Sequence, residues 1–592
     1  MSAELTAQEP SAKYLVNLQP PLVRHFDLIA QASGGVARLR ELILTLAVQG
    51  KLVPQDPSDE PASELLKKIK AEKDRLIAEG KIKRDKPLAE IADEEKPFEL
   101  PEGWEWVRLN SLLQKIGAGS TPLGGKEVYV STGVKFLRSQ NVWNEGLRLE
   151  GVAYIPPATH AKMSGTVVVA NDLLFNITGA SIGRCAVVPS DFDEANVSQH
   201  VTILRTVIPA LNAFLHKVLV SRHVQQTVMD VQVGVSREGL SIAKLGQFLI
   251  PVPPLVEQSR IVTRVEELMQ LCDALEAQGQ LEVEQQARLV STLFGSLLQS
   301  DTPEALADNW QRIATHFDLL LDRPEAVDAF EQTILQLAVR GLLVPQDPTD
   351  EPASVLLQKI RTEKDHLIAQ GKIKRDKPLP PITDEEKPFE LPQGWELARF
   401  GDLAQISSGV TLGRKTPLSK PLLFPYLRVA NVQRWFLNLQ SMKDVLIDEA
   451  ELPRFQVCAG DLLITEGGDW DKVGRTAIWR DELPTCLHQN HVFKARGVTA
   501  EWCPDWAELY LNSDVARNYF AASAKQTTNL ASINMTELKH CIFPLPPLSE
   551  QSRIVTRVNE LRALCADLRQ RIVAAQLVQG RMALALTENM AP

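Results

Sequence analysis

Cysteine is scarce in this chain, and none of it is arranged for metal or disulfide chemistry. The seven residues Cys185, Cys272, Cys458, Cys486, Cys503, Cys541 and Cys565 contain no CxxC pair. An odd, scattered set reads as reduced thiols and excludes a disulfide framework. Long apolar runs are missing as well. Thr166–Ala170 is typical of what there is, against the roughly 18–20 residues of a membrane helix, so no membrane partner is expected. Met1–Pro10 leads into no signal-peptide core, which makes the cytoplasm the expected location. Net positive charge is also lacking: 64 Lys and Arg face 74 Asp and Glu, for a net charge of −10. That balance excludes a uniformly cationic nucleic-acid coat but leaves room for a local DNA-binding face. The remainder, 44% hydrophobic and 23% charged over 592 residues, is ordinary globular protein too long for one core.

The motifs of nucleic-acid enzymes are absent too. An amino-methyltransferase needs an Asn/Asp-Pro-Pro-aromatic loop, and none of the five Pro-Pro pairs follows Asn or Asp. Ser120-Thr121-Pro122-Leu123-Gly124-Gly125-Lys126-Glu127 lacks the first glycine and the terminal Ser/Thr of a phosphate loop. There is no HExxH, and Asp93-Glu94-Glu95-Lys96 sits in a linker, where a nuclease carboxylate pair is not held. Cys486, His488, His491 and Cys503 can be drawn as a zinc set, but the first half has no counterpart, so scattered core and surface residues are the reading preferred. No metal site is expected, and no catalytic residue.

What is present is a repeat. Residues 46–104 return at 337–395 with 46 of 59 positions identical, at an offset of 291, and His25-Phe26-Asp27-Leu28 returns as His316-Phe317-Asp318-Leu319. A second block, residues 253–264, returns at 546–557 with an offset of 293. The blocks bracket about 150 residues in each half, and within those stretches only a skeleton is shared. Arg138 and Asn141 face Arg428 and Asn431. Asn171-Asp172-Leu173-Leu174 faces Gly460-Asp461-Leu462-Leu463. Gly183-Arg184 faces Gly474-Arg475, and His200 faces His491. One framework with different loops implies two modules that recognise two different things.

The modules read as mixed α and β. Short β-like runs at Thr166–Ala170, Val201–Leu204 and Leu462–Thr465 alternate with glycine-rich turns and helical pieces such as Leu211–Val220. Loops 178–184 and 466–475 combine flexible backbone with hydrogen-bonding tips, as an approach to base edges requires. Residues 105–256 carry a net charge of +3 and residues 396–549 a net of −1, so the acidity lies mostly in the scaffold. A second group of segments is helical. Ser63–Gly80 and Ser354–Gly371 have helical spacing, with Ser63 or Ser354 as cap and Gly80 or Gly371 as stop. Lys81–Pro87 is a charged, solvated linker. After Pro253-Pro254 and Pro546-Pro547 come two long helices with heptad seams: Ile261, Val265, Leu268, Cys272 and Leu275, and Ile554, Val558, Leu561, Cys565 and Leu568, continuing to Ile572 and Ala575. Gly279 breaks the first phase. Such a seam calls for one long partner, and the other copy is the obvious one.

These features together resemble the specificity (S) subunits of type I restriction-modification enzymes over nearly the whole chain. The carriers are PxPPLxEQxRIV twice, Leu100-Pro101-Glu102-Gly103-Trp104 and Leu391-Pro392-Gln393-Gly394-Trp395, and the GDLL-like and GRxA anchors. The LAVxGxLVPQDPxDEPAS block looks like the branch called IB. The resemblance implies an α+β chain: two mixed α/β target recognition domains separated by a pair of long antiparallel coiled-coil helices, in a pseudo-twofold tandem repeat. The expected division is a helical conserved segment at 1–100, recognition domain 1 at 101–252, spacer helix 1 at 253–300, a central helical segment at 301–391, recognition domain 2 at 392–545 and spacer helix 2 at 546–592. Each recognition domain would read one half of a bipartite site on double-stranded DNA. The helices would set the spacing and dock two modification (methyltransferase) subunits. S-adenosylmethionine, ATP and magnesium would belong to partner subunits, including restriction (translocase-endonuclease) subunits, and this chain would carry no cofactor. Competing readings are a fused methyltransferase or nuclease with an unrecognised active site, and a stand-alone DNA-binding scaffold.

The expected DNA-contacting set follows from comparing the modules. Shared residues (Arg138/Arg428, Asn141/Asn431, Arg184/Arg475, His200/His491) cannot distinguish two half-sites and suit fold or DNA-backbone contacts. The divergent neighbours Ser139, Gln140, Trp143 and Asn144, and Gln433, Arg434 and Trp435, are the base-edge candidates. Thr178, Ser181 and Lys472 on the glycine-rich loops complete the set.

Overall fold

The computed structural model describes residues 26, 28–84, 88–233, 239–300, 302–413, 418–468, 472–527 and 530–590. His25 and Asp27 of the repeated tetrapeptide, residues 85–87 of the basic linker and residues 469–471 of the second glycine-rich loop lie outside that set. The chain forms two compact units, one running to Glu282 and including Ala575 onward, the other Val283–Ala574.

The first unit begins with helix Gly35–Val48, whose Leu39, Leu42, Ile43 and Leu46 recur at helical spacing and are buried. Helix Ala62–Ala78 follows and stops at Gly80, whose φ of 70° is the left-handed turn that glycine adopts without a Cβ clash. Its start differs from expectation. Pro61 holds the N-cap position and Ser63 lies inside the first turn, because the Ala62 amide is already taken by Gly103 O at 2.8 Å. The repeat does the same: Pro352 precedes helix Ala353–Ala369, and Ala353 N donates to Gly394 O at 2.8 Å.

The recognition module of this unit opens and closes on one antiparallel ribbon, Glu105–Arg108 against Leu249–Val252. Between its ends lies an antiparallel sheet in the order Leu113–Ala118, Val201–Thr206, Leu173–Asn176, Cys185–Val187. A mixed sheet runs Ala153–Ile155, Val134–Leu137, Ala195–Val197, Val167–Val168. The hairpin Val142–Trp143/Gly146–Leu147 and helix Asn212–Val220 complete the part that matters for function. The expected strands at 166–170 and 201–204 appear as Val167–Val168 and Val201–Thr206, and the expected helix at 211–220 as Asn212–Val220.

The second unit repeats the plan. Helices Pro324–Val339 and Ala353–Ala369 precede a ribbon of Glu396–Arg399 against Ile542–Leu545. Its sheet keeps the same order: Ala404–Ser408, Val492–Gly497, Leu462–Thr465, Thr476–Ile478. The two anchors that differ in type agree in backbone. Asn171 (φ 67°) and Gly460 (φ 83°) are both left-handed, a conformation Asn tolerates better than other side chains. Each precedes a buried aspartate held by an arginine: Asp172 by Arg205 at 2.7 and 2.8 Å, Asp461 by Arg496 at 2.6 Å twice.

The repeated motifs owe their spelling to a lock at the foot of each long helix. Trp104 Nε1 donates to Glu257 Oε2 at 3.0 Å, and Gln55 Nε2 to Glu257 Oε1 at 2.8 Å. Trp395 and Gln346 hold Glu550 the same way, at 3.0 and 3.3 Å. Burial pushes both carboxyl groups above the usual range. Arg260 pairs with Asp59 and Arg553 with Asp350, each within 2.6 Å.

Helix Leu255–Leu298 runs without interruption through Gly279, and helix Leu548–Met590 is its repeat. Each is divided between the units. The first gives Leu255–Glu282 to unit one and the rest to unit two; the second gives Leu548–Ala574 to unit two and the rest to unit one. Ile261, Val265, Leu268 and Cys272 are buried in one cluster that holds Leu39, Leu42, Ile43 and Leu46 of the short helix and also Ala583 of the other long helix. Ile554, Val558 and Cys565 lie likewise with Phe330, Ile334 and Leu337, while Leu275, Leu561 and Leu568 sit half-buried at the margins. The short amphipathic helix preceding each module shares these clusters with the seam.

Candidate nucleic-acid interface

Each module carries the same turn, built from Arg-x-x-Asn. Asn141 is 1% exposed: its Oδ1 accepts from Arg138 N at 3.0 Å and its Nδ2 donates to Arg148 O at 2.9 Å. Asn431, also 1% exposed, accepts from Arg428 N at 3.0 Å and donates to Asn438 O at 2.8 Å. Both ends of each amide are spent inside the fold, so Asn141 and Asn431 leave the set of groups that can meet DNA. Arg138 Nη2 and Arg428 Nη2 tie the far side of the turn through Gly151 O at 3.4 Å and Ser441 O at 2.6 Å.

The turn sets its neighbours beside the glycine-rich loop. In the first module Asn176 Nδ2 donates to Ser139 O at 2.9 Å and to Ser181 Oγ at 3.1 Å. Thr178 Oγ1 and His200 Nδ1 are 2.5 Å apart. Gln140 and Asn144 are exposed, and Asn144 Oδ1 accepts from Cys185 N at 3.1 Å. Arg184 reaches back over Trp143, its guanidinium carbon 3.7 Å from the ring centroid. Ser139, Trp143, Asn144, Thr178, Ser181 and Arg184 are thereby joined through direct contacts with one sheet end.

The second module uses the same backbone with other chemistry. Arg475 Nη1 donates to Gln433 Oε1 at 2.7 Å, so the shared arginine again covers the divergent residue that follows Asn-Val. Gln433 Nε2 donates to Ala430 O at 2.9 Å, Arg434 Nη1 to Asn512 Oδ1 at 3.3 Å, and Lys472 O accepts from Thr465 Oγ1 at 2.5 Å. His491 Nδ1 lies 2.7 Å from Glu466 Oε2. Trp435 departs from expectation. Its backbone is left-handed (φ 72°), its ring packs at the edge of the core, and Arg562 of the long helix lies 4.1 Å from the ring centroid. An indole engaged by the helix fixes the module to its scaffold and is not aimed at a base.

Two features escaped the sequence reading. Arg148, seven residues past the shared Asn141, lies 3.6 Å over Trp143. Nothing in the repeat marks it, since Asn438 holds the matching place. The other is a pair of buried titratable groups at equivalent places on the covering helices. His216 Nε2 contacts Cys185 O at 2.9 Å and burial drives its pKa down to about 4; Glu508 Oε1 accepts from Ile478 N at 3.1 Å and burial drives it up to about 7. His488, expected above as a scattered core or surface residue in preference to a zinc ligand, is buried with Nδ1 2.7 Å from Val492 O, and burial lowers its pKa to about 3. Among the described residues no three His, Cys, Asp or Glu side chains gather as a metal set, and no helix is long and apolar enough to cross a membrane.

Each unit also has a groove at the matching place on its long helix, the first one lined in addition by Leu52, Val53 and Pro54. Ser259, Arg260, Thr263, Arg264 and Glu267 line the first, and Ser552, Arg553, Thr556, Arg557 and Glu560 the second.

Comparison with known proteins bears on both modules. The family described as type I restriction modification DNA specificity domain matches residues 101–285 and 392–575. The EcoAI specificity subunit of the type I restriction enzyme of Escherichia coli is 37% identical over 94% of this chain and 93% of its own length. The EcoEI specificity subunit, also from Escherichia coli, is 35% identical over the same shares. The EcoKI specificity subunit of Escherichia coli K12 is 19% identical over 80% of this chain and 85% of its own.

Proposed function

Because the chain belongs to the specificity subunits of type I restriction-modification systems, with two of that family's DNA specificity domains, we propose that each module reads one half of a bipartite site on double-stranded DNA for a complex whose chemistry resides in other subunits. The observation that carries this reading is the pairing of one backbone with two chemistries. Arg184 and Arg475 occupy the same place yet cover Trp143 in one module and Gln433 in the other. A protein that had to recognise one thing twice would repeat the tips along with the frame.

The two long helices are inferred to run antiparallel and to set the distance between half-sites. In support, each begins in one unit and ends in the other, in opposite order along the chain. Two copies of one modification subunit are the inferred partners, in support of which the helix residues lining the grooves at Arg260 and Arg553 repeat one for one. S-adenosylmethionine, and with restriction subunits ATP and magnesium, belong to those partners in this reading. The LAVxGxLVPQDP block supports placement in the IB branch.

Mapping methylated adenines across a genome, with and without this chain beside its modification subunit, tests the proposal. A bipartite motif that appears only when the chain is present is the expected result. Methyl transfer by the isolated chain, or methylation whose pattern is indifferent to it, would overturn the reading.

A further inference from the structure

The indole of Trp143 has no free face. Arg148 Cζ stands 3.6 Å and Arg184 Cζ 3.7 Å from its ring centroid. Two planar cations at that distance cannot share one face, so they flank the ring, with their charges roughly 7 Å apart. The ring's single donor is committed too, since Trp143 Nε1 gives its hydrogen to Gln140 O at 2.8 Å. Trp143 therefore has nothing left to offer a base, either for stacking or for hydrogen bonding, which removes it from the base-edge candidates.

What the stack displays is its two ends. A guanidinium laid on an aromatic face keeps its N–H groups around the rim, in the fork that suits phosphate oxygens. Arg148 is exposed and Arg184 half-exposed; the acidic oxygen recorded near them, Glu145 Oε2, lies 3.7 Å from Arg148 Nη2, beyond hydrogen-bond reach. The separation of the two charges is of the order of that between successive phosphates along one DNA strand. We propose that Arg148, Trp143 and Arg184 form a two-phosphate clamp, in which the indole is a rigid spacer holding two cations against neighbouring phosphates of one strand. This rests on the DNA-reading role proposed above. The second module has half of the device: Arg475 is shared, but Gln433 replaces the spacer and Asn438 replaces Arg148. The first module grips the DNA backbone at two points where the second grips at one.

The test is DNA binding by the full chain assembled with its modification subunits, as a function of salt, on duplexes bearing the mapped site and on variants of each half-site. A parent complex without site-specific affinity would defeat the DNA-reading role itself, before any variant is made. Given that affinity, Arg148→Gln should lower the slope of log affinity against log salt by about 0.9, so that affinity falls about 3.5-fold less between 50 and 200 mM salt. It should weaken all duplexes equally and leave half-site preference unchanged. Trp143→Leu keeps both charges yet should also lower the slope, and Trp143→Phe should restore most of it. Gln433→Trp with Asn438→Arg should raise it. An unchanged slope for Arg148→Gln, or a changed preference at one base pair, would overturn the clamp. Because Arg148 is exposed, its variant answers the question even where Trp143→Leu fails to fold.

Discussion

His216 in the first module and Glu508 in the second hold one position on the helix that covers the central sheet, and burial moves them in opposite directions, to about 4 and to about 7. The helices preceding the modules show the same inversion. Arg40 pairs with Glu276 at 2.8 Å, while at the matching places Glu331 pairs with Arg569 at 3.2 Å. Backbone and position have been kept while a base and an acid have changed places. Setting the first short helix on the second long one would bring Arg40 against Arg569, and the reverse exchange would bring Glu331 against Glu276. The inversion therefore tells apart two helices that hold the same place in the repeat.

The strongest break of this comparison is to replace a whole module. Exchanging residues 105–252 for the matching stretch of another specificity subunit should change one half-site completely and leave the other untouched, with assembly intact. Methylation mapping reads both halves at once, and a change in both would mean that the modules are not independent. Next in size is the pH response. Glu508, raised from 4.5 to about 7, binds its proton more tightly when folded. Its contribution to stability is therefore greatest below about pH 4.5, declines as pH rises, and reaches its least favourable level above about pH 7. Glu508→Gln should raise stability near pH 8 by a few kcal/mol and change little near pH 4.5. His216, lowered from 6.5 to about 4, gives the mirror image: its contribution is full above about pH 6.5 and is lost as pH falls toward 4. Because both groups titrate between about pH 4 and 7, thermal unfolding across that window should change slope with pH in opposite senses, Glu508→Gln removing a falling contribution and His216→Gln a rising one. If both variants shifted the slope in the same sense, the two positions would not be chemical opposites. The smallest expected effect is at the ion pairs, which are partly exposed. Arg40→Glu, facing Asp273 and Glu276, should cost about 1 kcal/mol, and adding Glu276→Arg should recover at least half. Additive losses in that double variant, measured by denaturant unfolding, would show that the inversion carries no coupling.

Much of this was readable in the chain because a duplicated sequence carries its own control. Identity at 46–104 and 337–395 marks scaffold, and divergence at 143 and 433 marks where the modules differ. The left-handed Asn171 was legible from its counterpart Gly460, and the helix stops from Gly80 and Gly371. The misses share a cause, which is that tertiary neighbours decided them. The heptad seam announces that Ile261 and Val265 need apolar partners but not that the cluster they join includes Leu39 and Ile43. For Asn141 a fold role and a DNA-backbone contact were both open, and its spacing from Arg138, which lets it close a turn on itself, decides for the fold. Trp435 read as an exposed tip until Arg562, 127 residues away in the chain, was found against its ring.

The ribbon at the base of each module governs what it can hold. Glu105 pairs with Val252 and Glu396 with Leu545, so each module is a loop closed at its root, its ends 147 positions apart in one unit and 149 in the other. Counted with both ends, the loops hold 148 and 150 residues, and the entropy of closing a loop grows only with the logarithm of its length. Two extra residues alter that term by about 0.01 kcal/mol, and even a doubling by about 0.6 kcal/mol. Length is thus nearly invisible to the scaffold. The condition it imposes on a module is local: four residues at each end must meet side by side, in register, with the last two prolines leading into the helix. A module of quite different size or internal topology meets that condition as readily as the two present, provided its ends emerge as neighbouring strands.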